Sequence, residues 1–237
     1  NEFVDCYREL YKQCDDVVFR DTYSADLFSD IAKVRVAGDI VFSQYQELSR
    51  YANKDGKGVV ISVIKLENRD ELSENAERYY DEIAQVAREF MDSGEEVTLM
   101  SFCDNEGDGQ AMDAVLNCLG DSGYKERIKL YHYDGDLEES LEVLGNSKYI
   151  VASRFHAIVL GLLLEKIVYP LLYSDKSLHM LNDIGFQGAY ADIRKMRRIS
   201  MGDVKGNGTR QLLERKEKLM TVSADAQKQF MILDKIL

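Results

Sequence analysis

The sequence predicts an α/β protein: a parallel sheet with helices on both faces. Three observations carry this. From Val59 onward, short apolar runs alternate with segments of helical period, and the alternation repeats five times. The runs are apolar almost without interruption, as in Val59-Val-Ile-Ser-Val-Ile64, which suits strands buried on both faces. Only one of the 237 residues is proline, Pro170, so proline-rich connectors are excluded.

Taken in order, Phe3, Val4, Tyr7, Leu10 and Tyr11 fall at helical spacing and predict a helix from Phe3 to Cys14. Asp16–Arg20 reads as a short buried strand. Thr22 or Ser24 then caps a helix running to about Ile31. Val34–Ala37 and Ile40–Phe42 read as extended pieces around Gly38-Asp39, and Asn53–Gly58 is a turn-rich segment where a domain boundary is expected. Beyond it, the predicted strands are Val59–Ile64, Val97–Phe102, Ile128–Tyr133, Tyr149–Ala152 and Ile167–Tyr173. A long amphipathic helix marked by Leu72, Tyr79, Ile83 and Phe90 follows the first and closes at Ser93-Gly94. Helices over Gln110–Leu119, Leu137–Leu144, Phe155–Leu164 and Ser177–Ile184 follow the others, the first two ended by Gly120 and Gly145. Gln211–Ile236 reads as one or two closing helices.

Lys and Arg total 30 against 42 Asp and Glu, a net charge of −12. That balance excludes a general nucleic-acid binder, because neutralising phosphates needs a basic face. Any anion must be met by a few local cations. Cys6, Cys14, Cys103 and Cys118 lack CxxC spacing and read as reduced core thiols. No apolar run reaches ~18 residues, so no membrane span is predicted. The chain opens at Asn1 without a leader, which reads as a fragment of a cytoplasmic protein.

In an open parallel sheet, ligands collect beyond the carboxyl ends of the strands, where helix N-termini favour anions. Two strand-to-helix turns carry chemistry there. In Ala152-Ser-Arg-Phe-His-Ala157 a guanidinium and an imidazole open an almost wholly apolar helix, a costly arrangement without an anionic partner. In Leu172-Tyr-Ser-Asp-Lys-Ser177, Lys176 opens the next helix against its dipole, capped by Ser174 or Asp175. The bland alternatives are an Arg154 held by a carboxylate elsewhere in the fold and a solvated Lys176.

These two turns resemble the paired signature of polysaccharide pyruvyl transferases, an Arg-Leu-His-Ala turn followed by a Tyr-Asp-Pro-Lys-like one. Upstream, Val18-Phe-Arg-Asp-Thr-Tyr-Ser24 is similar to that family's Val-Arg-Asp-x-x-Ser element, and Gly38-Asp-Ile-Val-Phe42 to its Pro-Asp-x-x-Phe segment. Phe155 stands where the family usually has Leu, and Gly38 where Pro is common. The resemblance implies a glycosyltransferase-B-like fold, with residues 1–53 the remainder of an N-terminal Rossmann-like domain that is incomplete here. Residues 54–237 would form the C-terminal Rossmann-like domain and its closing helices. It further implies transfer of a pyruvyl group from phosphoenolpyruvate to a sugar, as a ketal, with release of phosphate and without metal or cofactor. On this reading His156 and Arg154 are catalytic, His156 as acid/base, and Arg20, Lys176, Ser153 and Ser174 bind substrate. The acceptor would be a lipid- or nucleotide-linked sugar, reached at the inner face of the membrane. Two alternatives stay open: a nucleotide-sugar glycosyltransferase of the same architecture, and a non-catalytic sugar- or partner-binding module.

Other signals are weaker. Asp104-Asn-Glu-Gly-Asp-Gly109 mimics a calcium loop, but Val115 occupies the position that requires Glu, and Asp108 reads as the start of a helix. Gly202, Gly206 and Gly208 make no dinucleotide fingerprint. His132 and His179 read as structural. The basic cluster Arg194-Lys-Met-Arg-Arg198 reads as a solvated turn, or as the contact for an anionic carrier or membrane surface.

Overall fold

A computed structural model describes residues 2–69, 71–120, 123–211 and 215–236. The chain forms two compact units. The first comprises Asn1–Glu47, Asp175–Phe186 and Glu214–Leu237, and the second Leu48–Ser174 and Gln187–Leu213.

The first unit opens with α1 (Glu2–Tyr11), β1 (Val17–Phe19), α2 (Thr22–Asp26) and β2 (Val34–Val36), the two strands pairing in parallel. Its aromatic core is compact. Phe19 and Phe28 stack with centroids 5.4 Å apart, and Tyr11 meets both edge-on. Helix α2 is capped by Asp21, not by Thr22 or Ser24, and is shorter than its apolar pattern predicts. The predicted extended piece Ile40–Phe42 is instead part of a 3₁₀ helix (Ile40–Gln44), because the Asp39 carboxylate accepts the Val41 N–H and caps the turn. A short helix, α3 (Tyr45–Leu48), follows.

The second unit holds a six-stranded, all-parallel sheet. Its elements are β3 (Val59–Ser62), α4 (Ala76–Asp92), β4 (Val97–Ser101), α5 (Asp108–Leu119), β5 (Ile128–His132), α6 (Leu137–Asn146), β6 (Tyr149–Ala152), α7 (Phe155–Leu163) and β7 (Ile167–Leu172). Next comes α8 (Asp175–Asp183), which belongs to the first unit, and then β8 (Ala191–Asp192) and α9 (Met201–Gln211) of the second. The strand order is β5-β4-β3-β6-β7-β8. Strand register puts Val59, Val97, Tyr149 and Leu171 on the face covered by α4, α5 and α9. Val60, Ile150 and Val168 lie on the opposite face, against α7. Gly161 is required for that second contact: a Cβ there would lie 2.8 Å from Val168 Cγ2 and 3.1 Å from Ile150 Cδ1.

Several expectations are corrected. Strand β8 and helix α9 are absent from the sequence reading. The glycines at 202, 206 and 208 argue against a helix, but packing overrides propensity. Val204 is buried, and Asn207 donates to the carbonyls of Val168 and Ala189, both at 2.8 Å, while accepting the Ala189 N–H at 2.7 Å. Gly145 does not end its helix, which runs on to Asn146. A Cβ there would stand 2.1 Å from the Tyr51 carbonyl oxygen, so Gly is set by close approach. None of the cysteines is fully buried: Cys6 is exposed and the other three are partly exposed, Cys118 packing against the core, and none forms a disulfide. Burial and the nearby Asp81 carboxylate push the Cys118 thiol up to about 11.

The turn 53–58 packs against the end of α6, the Asn53 and Lys57 N–H groups donating to the carbonyls of Gly145 and Asn146. The closing segment contains α10 (Arg215–Gln227) and α11 (Leu233–Ile236), and residues 212–214 of the predicted stretch lie outside the described residues. No described helix is long and apolar enough to cross a membrane.

Candidate functional site

The order in which strands are laid down reverses between β3 and β6. From β3 the chain winds outward to β4 and β5, then returns to β6 on the other side and winds out to β8. The crevice between the carboxyl ends of β3 and β6 is therefore the switch point, where doubly wound sheets bind ligands. The turn Ser153-Arg154-Phe155-His156 occupies it. The Ser153 N–H donates to the Ser62 carbonyl across the gap at 3.1 Å. The Ser153 hydroxyl is fully buried and lies 2.7 Å from the Tyr79 hydroxyl, which also accepts the Ile64 N–H at 3.2 Å. Ser153 thus ties the ends of both strands to α4 and presents no hydroxyl outward.

Arg154 caps α7 in an extended conformation and turns its side chain back toward the β4–α5 loop, leaving it 11% exposed. Its Nε donates to Asp108 Oδ2 at 2.8 Å, its Nη2 donates to Asp108 Oδ1, and its Nη1 donates to Glu106 Oε2 at 2.6 Å. Asp108 is wholly buried at the start of α5 and also accepts the N–H groups of Phe102 and Cys103 at 3.1 and 3.0 Å. Burial alone would lower the Arg154 pKa. The bonds to Asp108 and Glu106 outweigh it and hold the guanidinium above its ordinary value. The Arg154 bond likewise holds Glu106 below the usual carboxylate range. Arg69 donates to the same Glu106 oxygen at 2.9 Å and lies 4.7 Å over the Tyr173 ring. Three of the five Arg154 N–H groups are engaged by carboxylates.

His156 is exposed on the first turn of α7, its ring edge-on to buried Phe155 with centroids 5.3 Å apart. Arg154 and His156 therefore diverge, one inward and one to solvent. His132 ends β5 with Nδ1 3.6 Å from Asp104 Oδ2, both half exposed. Ser174 follows β7 and is partly exposed. In the basic cluster, Arg194 is held on both oxygens of Asp192, and Arg198 lies 3.5 Å from Glu89.

The first unit places the remaining predicted residues. Arg20 leaves β1 and donates from Nη1 to Asp39 Oδ2 at 2.9 Å. Arg20, Lys176, Asp21, Tyr23, Asp39 and His179 line a single hollow of about 630 Å³. Asp21 accepts the N–H and hydroxyl of Ser24 at 2.8 and 3.0 Å, so the Arg-Asp-x-x-Ser pattern is a capped helix start. Lys176 is exposed in the first turn of α8, which begins at Asp175, two residues before the predicted start at Ser177.

The structure thus brings Ser153, Arg154 and His156 together in one turn of the second unit, and Arg20 with Lys176 in one hollow of the first. The sequence reading misses Tyr79, Glu106 and the pairing role of Asp108. The acidic run Asp104–Asp108 was the available signal, since a buried guanidinium demands carboxylates. Among the described residues, no three His, Cys, Asp or Glu side chains are grouped to hold a metal ion.

A family model described as polysaccharide pyruvyl transferase matches residues 1–175. No curated protein matches the sequence significantly. Among solved structures, sucrose-phosphate synthase from Thermosynechococcus elongatus is similar over 100% of this chain and 62% of its own, at 10% identity and a TM-score of 0.55. A structure of accessory secretory protein 1, 2 and 3 in Streptococcus pneumoniae is similar over 98% of this chain and 45% of its own, at 12% identity and a TM-score of 0.54. The chain therefore spans less than two thirds of either structure. At these identities the similarity speaks for the fold alone, and with the all-parallel sheet it gives a glycosyltransferase-B-like class.

Proposed function

The chain belongs to the polysaccharide pyruvyl transferase family, and on that premise we propose that it moves a pyruvyl group from phosphoenolpyruvate to a sugar of a polysaccharide or its precursor. The observation that carries this reading is the exposed His156 beside a locked Arg154 at the switch point of the sheet.

In the proposed reaction the enol methylene of phosphoenolpyruvate gains a proton and becomes the methyl group, leaving an oxocarbenium-like carbon between carboxylate and phosphate ester. One sugar hydroxyl adds to that carbon and gives up its proton. The C–O bond to phosphate breaks, and a second hydroxyl adds to the same carbon and closes the ketal, its proton leaving with the phosphate. An imidazole can give and take a proton near neutrality, so His156 is the group assigned to supply the first proton and to accept one from a hydroxyl. The donor brings two anionic groups. The cations assigned to them are Arg154 in the second unit, whose fork suits a carboxylate or phosphate, and Lys176 and Arg20 in the first. Ser153, with its hydroxyl on Tyr79, acts by fixing the turn, and Ser174 lies on the rim of the β7–α8 turn. The donor is already activated, so the scheme calls on no cofactor. A lipid- or nucleotide-linked acceptor is part of the proposal.

The test is phosphate release from phosphoenolpyruvate across a panel of sugars, with the ketal methyl group followed by proton NMR. Release that depends on a sugar, together with a new methyl singlet, supports the reading. Release equal to the buffer rate with every sugar refutes it.

A further inference from the structure

In the first unit, Tyr23 stands out. Its residue surface is 57% exposed, and one ring face is stacked on the His179 imidazole at 4.2 Å and 30°. An aromatic ring clamped on one side and open on the other is a platform, because the stacking partner removes the entropy the ring would otherwise lose on binding. The surroundings define what would lie on it. The Asp21 carboxylate accepts the N–H and hydroxyl of Ser24 and faces His179 Nδ1 at 3.9 Å, and Asp39 accepts from the Arg20 guanidinium and the Val41 N–H. An ionised carboxylate offers about four lone-pair sites and can accept several donors at once. Both carboxylates line the same hollow as Tyr23, and Lys176 adds a donor at its edge. The volume, about 630 Å³, is in the range of small-molecule sites.

A flat apolar face beside paired acceptors matches one chemical class above others. A pyranose ring has a C–H face that lies on an aromatic ring, and hydroxyl donors around its edge. An anionic ligand seated at the ring would face two carboxylates. We propose that the hollow beside Tyr23 is the acceptor-sugar subsite, with a pyranose on the open face of Tyr23 and its hydroxyls donating to Asp21 and Asp39. This deepens the transfer reading above and rests on its claim that the acceptor is a sugar. The hollow then serves two chemistries: Arg20 and Lys176 for anionic groups, Tyr23 with the carboxylates for hydroxyls.

The chain contains no Trp, so Tyr23→Trp introduces a single indole reporter at the platform. The protein is titrated with methyl pyranosides of glucose, galactose, mannose and N-acetylglucosamine, and separately with UMP. At least one pyranoside should shift the indole emission saturably, with UMP much weaker. In the phosphate-release assay, Tyr23→Ala should raise the acceptor KM about tenfold, the loss expected for one stacked ring, while the phosphoenolpyruvate KM changes less than about twofold. Tyr23→Phe, which keeps the ring face, should restore the acceptor KM.

Two results overturn the subsite: an emission that no pyranoside shifts up to about 50 mM, which bounds affinity to negligible values, or a Tyr23→Ala that raises both KM values equally. Tighter binding of UMP than of every pyranoside also overturns it. If pyranosides bind the indole variant but phosphoenolpyruvate is never consumed, the transfer reading fails and the subsite stands. If phosphate is released and Tyr23→Ala leaves the acceptor KM unchanged, the reverse holds.

Discussion

Replacing Asp108 by Ala should unfold the second unit's site more severely than any other single carboxylate change there. The wild-type side chain receives four hydrogen bonds: two from the Arg154 guanidinium, and one each from the Phe102 and Cys103 N–H groups. Its loss leaves a guanidinium that is 11% exposed with Glu106 as its remaining carboxylate, itself 51% exposed. Breaking a buried pair from one side costs about 3–5 kcal/mol. Two orphaned N–H groups would add more, but water entering the vacated space recovers most of that, so the estimate stays at about 3–5 kcal/mol. For a chain of this size each kcal/mol moves the midpoint by about 2–4 °C, giving a fall of about 6–20 °C. Circular dichroism melts and urea titrations would measure it. Glu106→Gln, at the exposed end of the same network, should cost less than about 1 kcal/mol. Asp108→Ala combined with Arg154→Met removes both charges and should recover most of the loss, because a dry apolar replacement of a buried pair is often neutral. An Asp108→Ala midpoint within about 2 °C of wild type, or a double variant no better than the single, would refute the claim that this pair locks the turn.

Other outcomes follow from the same geometry. His156→Ala should lower turnover of phosphoenolpyruvate by about 10²–10⁴ with donor binding little changed, whereas Arg154→Lys should weaken donor binding first and also lower the melting temperature, since it loses the fork on Asp108. Isothermal titration beside turnover separates the two, and equal losses of donor binding in both variants would contradict the division of labour. The Arg35 hydrogen bond holds Asp16 below the usual carboxylate range. Its stabilising contribution is therefore present above the ordinary Asp value and is lost as pH falls through the lowered one. Asp16→Asn should accordingly flatten the acid side of a melting-temperature profile recorded below about pH 4 and leave a constant offset at neutrality. Gly161→Ala should destabilise by about 1–3 kcal/mol, because the new methyl meets the stiff, buried Val168 and Ile150 side chains. A gain in stability, as helix propensity alone predicts, would show that the α7–sheet gap can relax.

The second unit was legible wherever burial wrote itself as composition. Val59–Ser62, Tyr149–Ala152 and Ile167–Leu172 are apolar runs because both faces of the sheet are covered, and the amphipathic α4 shows its inner face as a clear stripe. Legibility failed where tertiary contacts overrule local preference. The glycine-bearing α9 is held by the buried Asn207, and Gly145 reads as a stop yet is a point of close approach. The site divides in the same way. Arg154 and His156 were visible as charged or titratable groups opening an apolar helix. The carboxylates that receive Arg154 come from a loop 46 residues away in sequence, and spacing alone carries no trace of that pairing.

The first unit is assembled from three stretches of chain, with the whole sheet of the second encoded between the first two or just after. During synthesis, α1, β1 and β2 emerge early, but α8 and α10, which complete their unit, emerge only after more than a hundred further residues. At about 5–20 residues per second that is a wait of many seconds. Throughout it, Phe42, buried to 1% exposure in the finished fold, lacks the α10 surface that packs against its 3₁₀ helix. The second unit's central strands and helices can close over their own core in that interval. Maturation of this chain is thus ordered in time. The unit that carries Arg20, Tyr23 and Lys176 is completed last, once α8 and α10 have been made.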